Sequence, residues 1–385
     1  MSLNKIKTIA VFTSSRSEYG TLLPLLKKIN KKFNLHLLVG GSHLLEQYGK
    51  SINEIIKDGF KIHKKFSFLF VDNSPDVISR SLSELLKVSG KYFSEDKPDL
   101  LVLIGDRIEL IAIASAALIH NIPIAHLSGG EVTEGAVDNQ VRNAVSKMAH
   151  LHFPTTERHK KNLLRMGEEE WRVCTVGEPA LDLISSLKKI NKEKLYKELN
   201  LKRNTPVILA TFHPQTIDGD IIPQFIKTLF SYLTSKKKYQ ILVTASNFDK
   251  GGPEINQMLE ELSVKNNSII YKKNLGQERY YSLLRYVTLM LGNSSSGIWE
   301  AQSFNLPVIN VGNRQQGRIA NPNVYNVDID INKINNAIKF VLSDNFKRKY
   351  FNKPNLYGNG NASEKIIKIL KNLPEKNLLL KKNTY

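Results

Sequence analysis

The residues best placed to do chemistry are polar groups that directly follow short apolar runs. Gly292, Asn293, Ser294, Ser295, Ser296 and Gly297 come straight after the apolar run 287–291, with Glu300 beyond them. A buried strand that turns into a helix start points unpaired backbone amides outward, and such a turn is suited to phosphate. The two glycines relax the backbone, and three hydroxyls surround the first free amides of the helix. Glu300 follows about one turn later, where a carboxylate can accept hydrogen bonds from a ribose. A serine-rich helix cap is the plainer account of the same residues.

Other apolar runs end in the same way. After 8–13 comes Ser14-Ser15-Arg16-Ser17-Glu18, and the forked guanidinium of Arg16 suits diphosphate oxygens. After 100–104 come Gly105, Asp106 and Arg107; a carboxylate at the end of a buried strand is seldom there for packing, because burying it unpaired is costly. After 122–126 come Gly129, Gly130 and Glu131, then Glu134, Asp138 and Arg142. Neighbouring carboxylates raise one another's proton affinity, as an acid and base pair requires. Arg142 stands one turn after Asp138, at the spacing that lets it fix that carboxylate. A capping acid with a surface ion pair is the alternative. His213-Pro214 ends 207–212, where a histidine can shuttle protons. Asn247 and Asp249 follow 240–244, and Arg314 and Arg318 follow 308–311. Arg107, Asn247 and Asn293 join the ligand-binding candidates. No cluster with metal-ligand spacing and no nucleophilic Ser or Cys arrangement competes, so neither a metal nor another cofactor is expected.

The elements that must carry these groups alternate. Strands are expected over 8–13, 35–39, 100–104, 122–126 and 151–153, and again over 207–212, 240–244, 268–272, 287–291 and 308–311. Amphipathic helices are expected between them, at 20–30, 75–92, 107–120 and 138–149, then 222–232, 253–262, 277–285 and 297–304. This is the pattern of an α/β protein with parallel sheets, run through twice. It implies two Rossmann-like, doubly wound domains with a cleft between them, and ligands at the carboxyl ends of strands. The pattern is weakest over 178–204, which places domains at 1–180 and 181–360, with a helix and tail over 361–385.

Composition is consistent with that reading. The chain has 385 residues, 41% hydrophobic and 24% charged, room for two domains at about 150 residues each. The net charge of +19 raises nucleic acid as a partner, but most of the excess is lysine in pairs such as Lys27-Lys28 and Lys31-Lys32 on helix faces, so no nucleic-acid partner is expected. The charge suits anionic small ligands instead. No apolar run approaches the ~20 residues of a membrane span, the first residues lack a signal-peptide pattern, and the single Cys174 cannot form an internal disulfide. A cytoplasmic protein without a membrane partner is expected.

Together, Arg16 with Glu18, Gly105-Asp106-Arg107, Gly129-Gly130-Glu131, Asp138 with Arg142, His213-Pro214, Gly292 to Gly297 with Glu300, and Gly312 to Arg318 resemble the hydrolysing UDP-N-acetylglucosamine 2-epimerases. The resemblance spans residues 6–325 in order. It implies the two-lobed GT-B fold, a C-terminal helix packed back on the first lobe, a homodimer, and a sugar-nucleotide substrate. In that family a base removes the C2 proton while the nucleoside diphosphate leaves C1, and water adds to release the free 2-epimer. The resemblance implies Asp106, Glu131 and Asp138 as acid and base carboxylates, any of which fits the C2 base, and His213 near the leaving phosphate. It implies Arg16, Ser294, Ser295, Ser296 and Arg314 at the diphosphate and Glu300 at the ribose. The run His126-Leu127-Ser128-Gly129-Gly130-Glu131 differs from the His-Val-Glu-Ala-Gly-Leu-Arg of the non-hydrolysing branch, which favours hydrolysis. Thr133 to Asp138 resembles the branch that feeds sialic or legionaminic acid synthesis, with UDP-N-acetylglucosamine or a UDP- or GDP-linked N,N'-diacetylbacillosamine as substrate and the manno-configured sugar as product. Ser17, where many relatives have Ala, and the bulky Trp299 depart from the family pattern. A non-hydrolysing 2-epimerase or a GT-B glycosyltransferase is the alternative.

Overall fold

In a computed structural model, residues 6–46, 49–70, 74–133, 137–214, 221–235, 237–247, 251–374 and 376–384 are described. Glu134, Gly135, Ala136 and Asp249 lie outside the described residues. The chain divides into two compact units, the first made of Met1–Ser185 with Tyr357–Tyr385 and the second of Ser186–Leu356.

The first unit runs β1 (Thr8–Thr13), α1 (Arg16–Lys32), β2 (Asn34–Gly40), α2 (Ile52–Lys57), β3 (Ile62–Phe66), α3 (Pro75–Glu95), β4 (Leu100–Ile104), α4 (Glu109–Ile119), β5 (Ile124–Leu127), α5 (Val137–Met148), β6 (Leu151–Phe153) and α6 (Glu157–Arg165). After α7 (Asp182–Ser186) come α8 (Lys192–Leu199), β7 (Val207–Thr211), α9 (Ile221–Ser235), β8 (Gln240–Thr244), α10 (Gly252–Lys265), β9 (Ile269–Lys272), α11 (Gln277–Leu284), β10 (Leu289–Gly292), α12 (Ser295–Trp299), β11 (Val308–Val311), β12 (Val324–Val327), α13 (Ile331–Val341) and α14 (Asp344–Tyr350). The last helix, α15 (Ala362–Lys371), belongs to the first unit.

Each unit carries one six-stranded parallel sheet. The orders are β3-β2-β1-β4-β5-β6 and β12-β11-β10-β7-β8-β9, the same doubly wound order counted within each unit. Central strands such as β4 (Leu-Leu-Val-Leu-Ile) are buried throughout because helices cover both faces of a parallel sheet. Two strands were invisible to the apolar pattern. β3 and β12 are outermost in their sheets, with Ile-His-Lys-Lys-Phe and Val-Tyr-Asn-Val carrying three and two exposed residues.

In each order the direction in which successive strands are added reverses across one strand pair, β1/β4 in the first unit and β7/β10 in the second. At that pair the helices leave towards opposite faces, and a crevice opens at the carboxyl ends. The sequence fits these turns closely. Ser15 and Glu18 form a capping box at the start of α1. Gly292 has φ +133, and a Cβ there would stand 1.9 Å from Thr211 O, so only glycine lets β10 lie against the end of β7. The C-terminal helix is tied down by Asp182, whose carboxylate accepts the amides of Ala362 at 2.8 Å and Ser363 at 2.7 Å. No helix among the described residues is long and apolar enough to cross a membrane.

Candidate functional site

In the first unit, Asp106 follows β4 and Arg142 comes from the second turn of α5. Arg142 is 2% exposed. One terminal nitrogen donates to Glu131 O at 3.0 Å, and the other donates to the Asp106 carboxylate and to Thr133 Oγ1 at 3.2 Å. The i, i+4 spacing does put Arg142 a turn behind Asp138, but its guanidinium is committed to Asp106. Asp138 itself is exposed in the first turn of α5. Asp106, Glu131 and Arg142 are therefore brought together around the guanidinium.

Glu131 is buried and accepts a hydrogen bond from Thr155 Oγ1 at 2.9 Å, while Thr155 Oγ1 lies 2.8 Å from His159 Nδ1. With the threonine proton given to Glu131, the His159 ring donates through Nδ1. Gly130 makes this possible: its φ is +75, and a Cβ would sit 2.4 Å from His159 O. His126, fully buried, has Nε2 2.8 Å from Gly105 O and Nδ1 3.0 Å from Ser146 Oγ. A carbonyl only accepts, so Nε2 carries the proton, and His126 pins the turn that presents Asp106. Burial drives its pKa down to about 3.

At the β1/β4 ends, Arg16 is half-exposed and pairs with Glu54 at 2.8 Å. Arg107 is exposed, with its Nε 2.7 Å from Glu109. Sequence reasoning named Ser14 in this turn but missed Glu109 and the contact between the two. The turn was marked by Arg16 following an apolar run; the capping-box spacing Ser15 to Glu18 is a second signal of the same turn.

In the second unit His213 follows β7, Asn247 follows β8, and Asn293 with the serines follows β10. The His213 amide donates to Asn293 Oδ1 at 2.7 Å, and Asn293 Nδ2 donates to His213 O at 2.9 Å. The Asn247 amide donates to His213 Nδ1 at 3.0 Å, so the ring keeps its proton on Nε2. Burial, and then the charge of Arg314, bring the His213 pKa down to about 3. Asn293 O in turn accepts from Arg314 at 3.1 Å and Gln315 at 2.8 Å, which fixes the loop after β11 against the turn that follows β10.

Ser294 is the N-cap of α12, its Oγ accepting from the Ser296 amide at 3.4 Å. Gly297 is needed for packing, since a Cβ would meet Val308 Cγ1 at 2.9 Å. The helix expected over 297–304 is broken: α12 ends at Trp299 and a 3-10 turn covers Ala301–Phe304. Glu300 is buried, accepting from Tyr281 OH at 2.6 Å and from the Ser296 hydroxyl, and burial raises its pKa. Nothing in the sequence pointed to Tyr281. Arg318 stacks on Trp299 at 5.0 Å and lines a cavity of about 950 Å3; its Nε and Nη1 are buried without an acceptor among the described residues.

His36, His63 and Asp96 also cluster in the first unit. The two rings stack at 3.6 Å and 11°, so their in-plane lone pairs do not converge on one ion at bonds of about 2.0–2.1 Å.

The UDP-N-acetylglucosamine 2-epimerase family model matches residues 27–371. The chain is 37% identical over 345 residues to the GDP/UDP-N,N'-diacetylbacillosamine 2-epimerase (hydrolyzing) of Campylobacter jejuni, covering 89% of each chain. It is 34% identical over 384 residues to the UDP-N,N'-diacetylbacillosamine 2-epimerase (hydrolyzing) of Legionella pneumophila, covering 99% of this chain and 100% of that one. Among solved structures, the UDP-GlcNAc 2-epimerase from Neisseria meningitidis bound to UDP-GlcNAc superimposes with a TM-score of 0.82 at 19% identity, over 95% of this chain and 100% of that one. Both sheets are thus those of the GT-B architecture, and a match over nine-tenths of the sequence leaves one assignment: the chain belongs to the UDP-N-acetylglucosamine 2-epimerase family.

Proposed function

We propose that the protein is a hydrolysing 2-epimerase of nucleoside-diphosphate sugars. It eliminates the diphosphate from a UDP- or GDP-linked 2-acetamido sugar, inverts C2, and adds water to release the free manno-configured sugar. The carrying observation is the full-length similarity, 37% and 34% identical, to two enzymes named as hydrolysing. Their names favour N,N'-diacetylbacillosamine nucleotides over UDP-N-acetylglucosamine, and so a place in legionaminic-type rather than sialic acid synthesis. The reading carries with it a cytoplasmic homodimer.

In this proposal the second unit holds the nucleotide. The amides at the start of α12, flanked by Ser294, Ser295 and Ser296, together with Arg314, take the diphosphate, and Glu300 takes the ribose. His213, neutral with its proton on Nε2, donates to the leaving phosphate, where charge develops. Asp106, Glu131 and Asp138 exchange protons with C2 and with the incoming water. Incubation with UDP- and GDP-linked candidate sugars in deuterated water tests the chemistry. Release of nucleoside diphosphate with a free sugar deuterated at C2 is expected; a product that keeps its C2 protium would contradict the elimination.

A further inference from the structure

The carboxyl ends of β1 and β4 meet around one serine. Ser14 Oγ lies 2.8 Å from Glu18 Oε2 and 2.7 Å from Glu109 Oε1. A hydroxyl owns a single proton and donates to only one of these oxygens. With both acids ionised, the other contact would set lone pairs against each other at hydrogen-bond distance. A proton on Glu18 Oε2 removes the conflict: Glu18 donates to Ser14, Ser14 donates to Glu109, and Arg107 Nε donates to the same Glu109 oxygen at 2.7 Å. The group is then electrically neutral overall, whereas an ionised Glu18 adds an uncompensated charge in a buried place. Glu18 Oε1 is buried without a partner, which costs less for the carbonyl oxygen of a neutral acid than for half of a carboxylate.

We infer that Glu18, Ser14 and Glu109 are positioning residues for Arg107, a one-proton chain that holds its Nε and leaves its terminal nitrogens to an anionic phosphate of the ligand. The identity of that anion rests on the function proposed above. Arg107 is exposed at the strand pair where the sheet order reverses, and its terminal nitrogens have no acceptor among the described residues. Burial raises the Glu18 pKa to about 7, against the pull of Arg107 and of the Ser14 and Ser15 amides at 2.8 and 3.1 Å, with Glu109 adding to the rise. The other charged or titratable groups at this turn are engaged elsewhere. His43, held down at about 4 by burial, bonds Thr13 and Ser51; Asp106 pairs with Arg142, and Arg16 with Glu54. The chain is complete below neutral pH, and Glu18 loses its proton to solvent as the pH rises through about 7.

Carbon-13 NMR of the intact, glutamate-labelled protein without ligand reads the proton directly. A carboxyl signal with a midpoint near 7 is expected, absent in Glu18→Gln, whose amide oxygen still accepts from the Ser14 and Ser15 amides and keeps the capping box with no proton to titrate. With UDP as probe, wild-type affinity should fall roughly three- to tenfold from pH 6 to pH 8 beyond any change in Glu18→Gln, and Glu109→Gln should bind more weakly at both. A missing signal, or the same pH dependence in Glu18→Gln as in the wild type, overturns the inference. A signal near 7 with no UDP binding by the wild type at either pH keeps the proton chain and overturns the nucleotide reading instead.

Discussion

Replacing Asp106 with Asn separates its duty to Arg142 from any part in chemistry. Arg142 is almost wholly enclosed, its Nε is buried without a partner, and the carboxylate that meets its guanidinium is Asp106. Two unit charges about 4 Å apart at an effective dielectric near 20 attract by about 4 kcal/mol. Removing one partner of a buried pair costs about 3–5 kcal/mol, because the remaining charge is stranded. The Asp106 side chain is 26% exposed, so water takes part of the load and asparagine keeps one hydrogen bond; about 3 kcal/mol is expected. Urea unfolding of Asp106→Asn against wild type, with the slope checked for a change in the transition, reads this loss. A loss below about 1 kcal/mol would refute the account of Arg142 as a buried cation dependent on Asp106. Adding Arg142→Met should recover much of the stability, since an apolar side chain needs no counter-ion. It should not recover turnover. A double variant with wild-type activity would remove Asp106 from the chemistry.

Glu168 gives a stability prediction with a definite pH window. Burial alone would raise its carboxyl, but His152, Lys381 and Lys147, at 2.9, 2.8 and 2.9 Å, hold it at about 2 against 4.5. Its folded value is depressed, so its contribution is present above pH 4.5 and is lost as the pH falls towards 2; the shift corresponds to about 3 kcal/mol. Glu168→Gln should be less stable by that order at pH 7 and show a flatter acid limb, and coincident acid limbs would contradict the network. Gly292→Ala, which drives a methyl into Thr211 O, should cost at least about 4 kcal/mol and abolish UDP binding; an unchanged melting temperature would refute the close approach. His213 should keep the neutral Nε2–H form from pH 8 to pH 5 by nitrogen-15 NMR, and a midpoint near 6.5 would show that Asn247 does not hold the ring as the structure has it.

The central strands were legible because each is apolar on both faces, and the turns were legible because glycines and polar residues follow those runs directly. β3 and β12 were not, since an outermost strand needs only part of its surface buried and its sequence loses the apolar run. Most of the turn residues named from sequence do lie at carboxyl ends. Their partners were harder to foresee. Arg142 reaches 36 residues back to Asp106, and Ser14 reaches 95 forward to Glu109. Such pairs follow from strand order rather than from spacing, and no window along the chain contains both members. The bonds of Tyr281 to Glu300 and of His126 to Gly105 O escaped notice for the same reason.

The two units share one strand order and fill its crevice with opposite chemistry. Where β7 meets β10, the groups that touch the strand ends are amides, hydroxyls, a histidine held neutral and the permanently charged Arg314, with the Asn293 side chain bonded to both the amide and the carbonyl of His213. Fixed dipoles of that kind hold an anion without changing their own protonation. Where β1 meets β4, the groups are Glu18, Glu109, Arg107, Asp106 and Arg142, charges in contact whose balance depends on a single proton. A sequence duplicated in topology alone has no reason to differ in this way. A reaction that must both anchor a diphosphate and move protons at carbon does, because the group that anchors best is one that never titrates and the group that moves protons must. If that division is right, pH should act on this enzyme chiefly through the first unit. Exchanging Glu18 for Gln should then change the pH profile of turnover near neutrality, and exchanging Ser294 for Ala should lower affinity while leaving the profile's shape intact. A profile altered by the Ser294 change and untouched by the Glu18 change would reverse the assignment of roles.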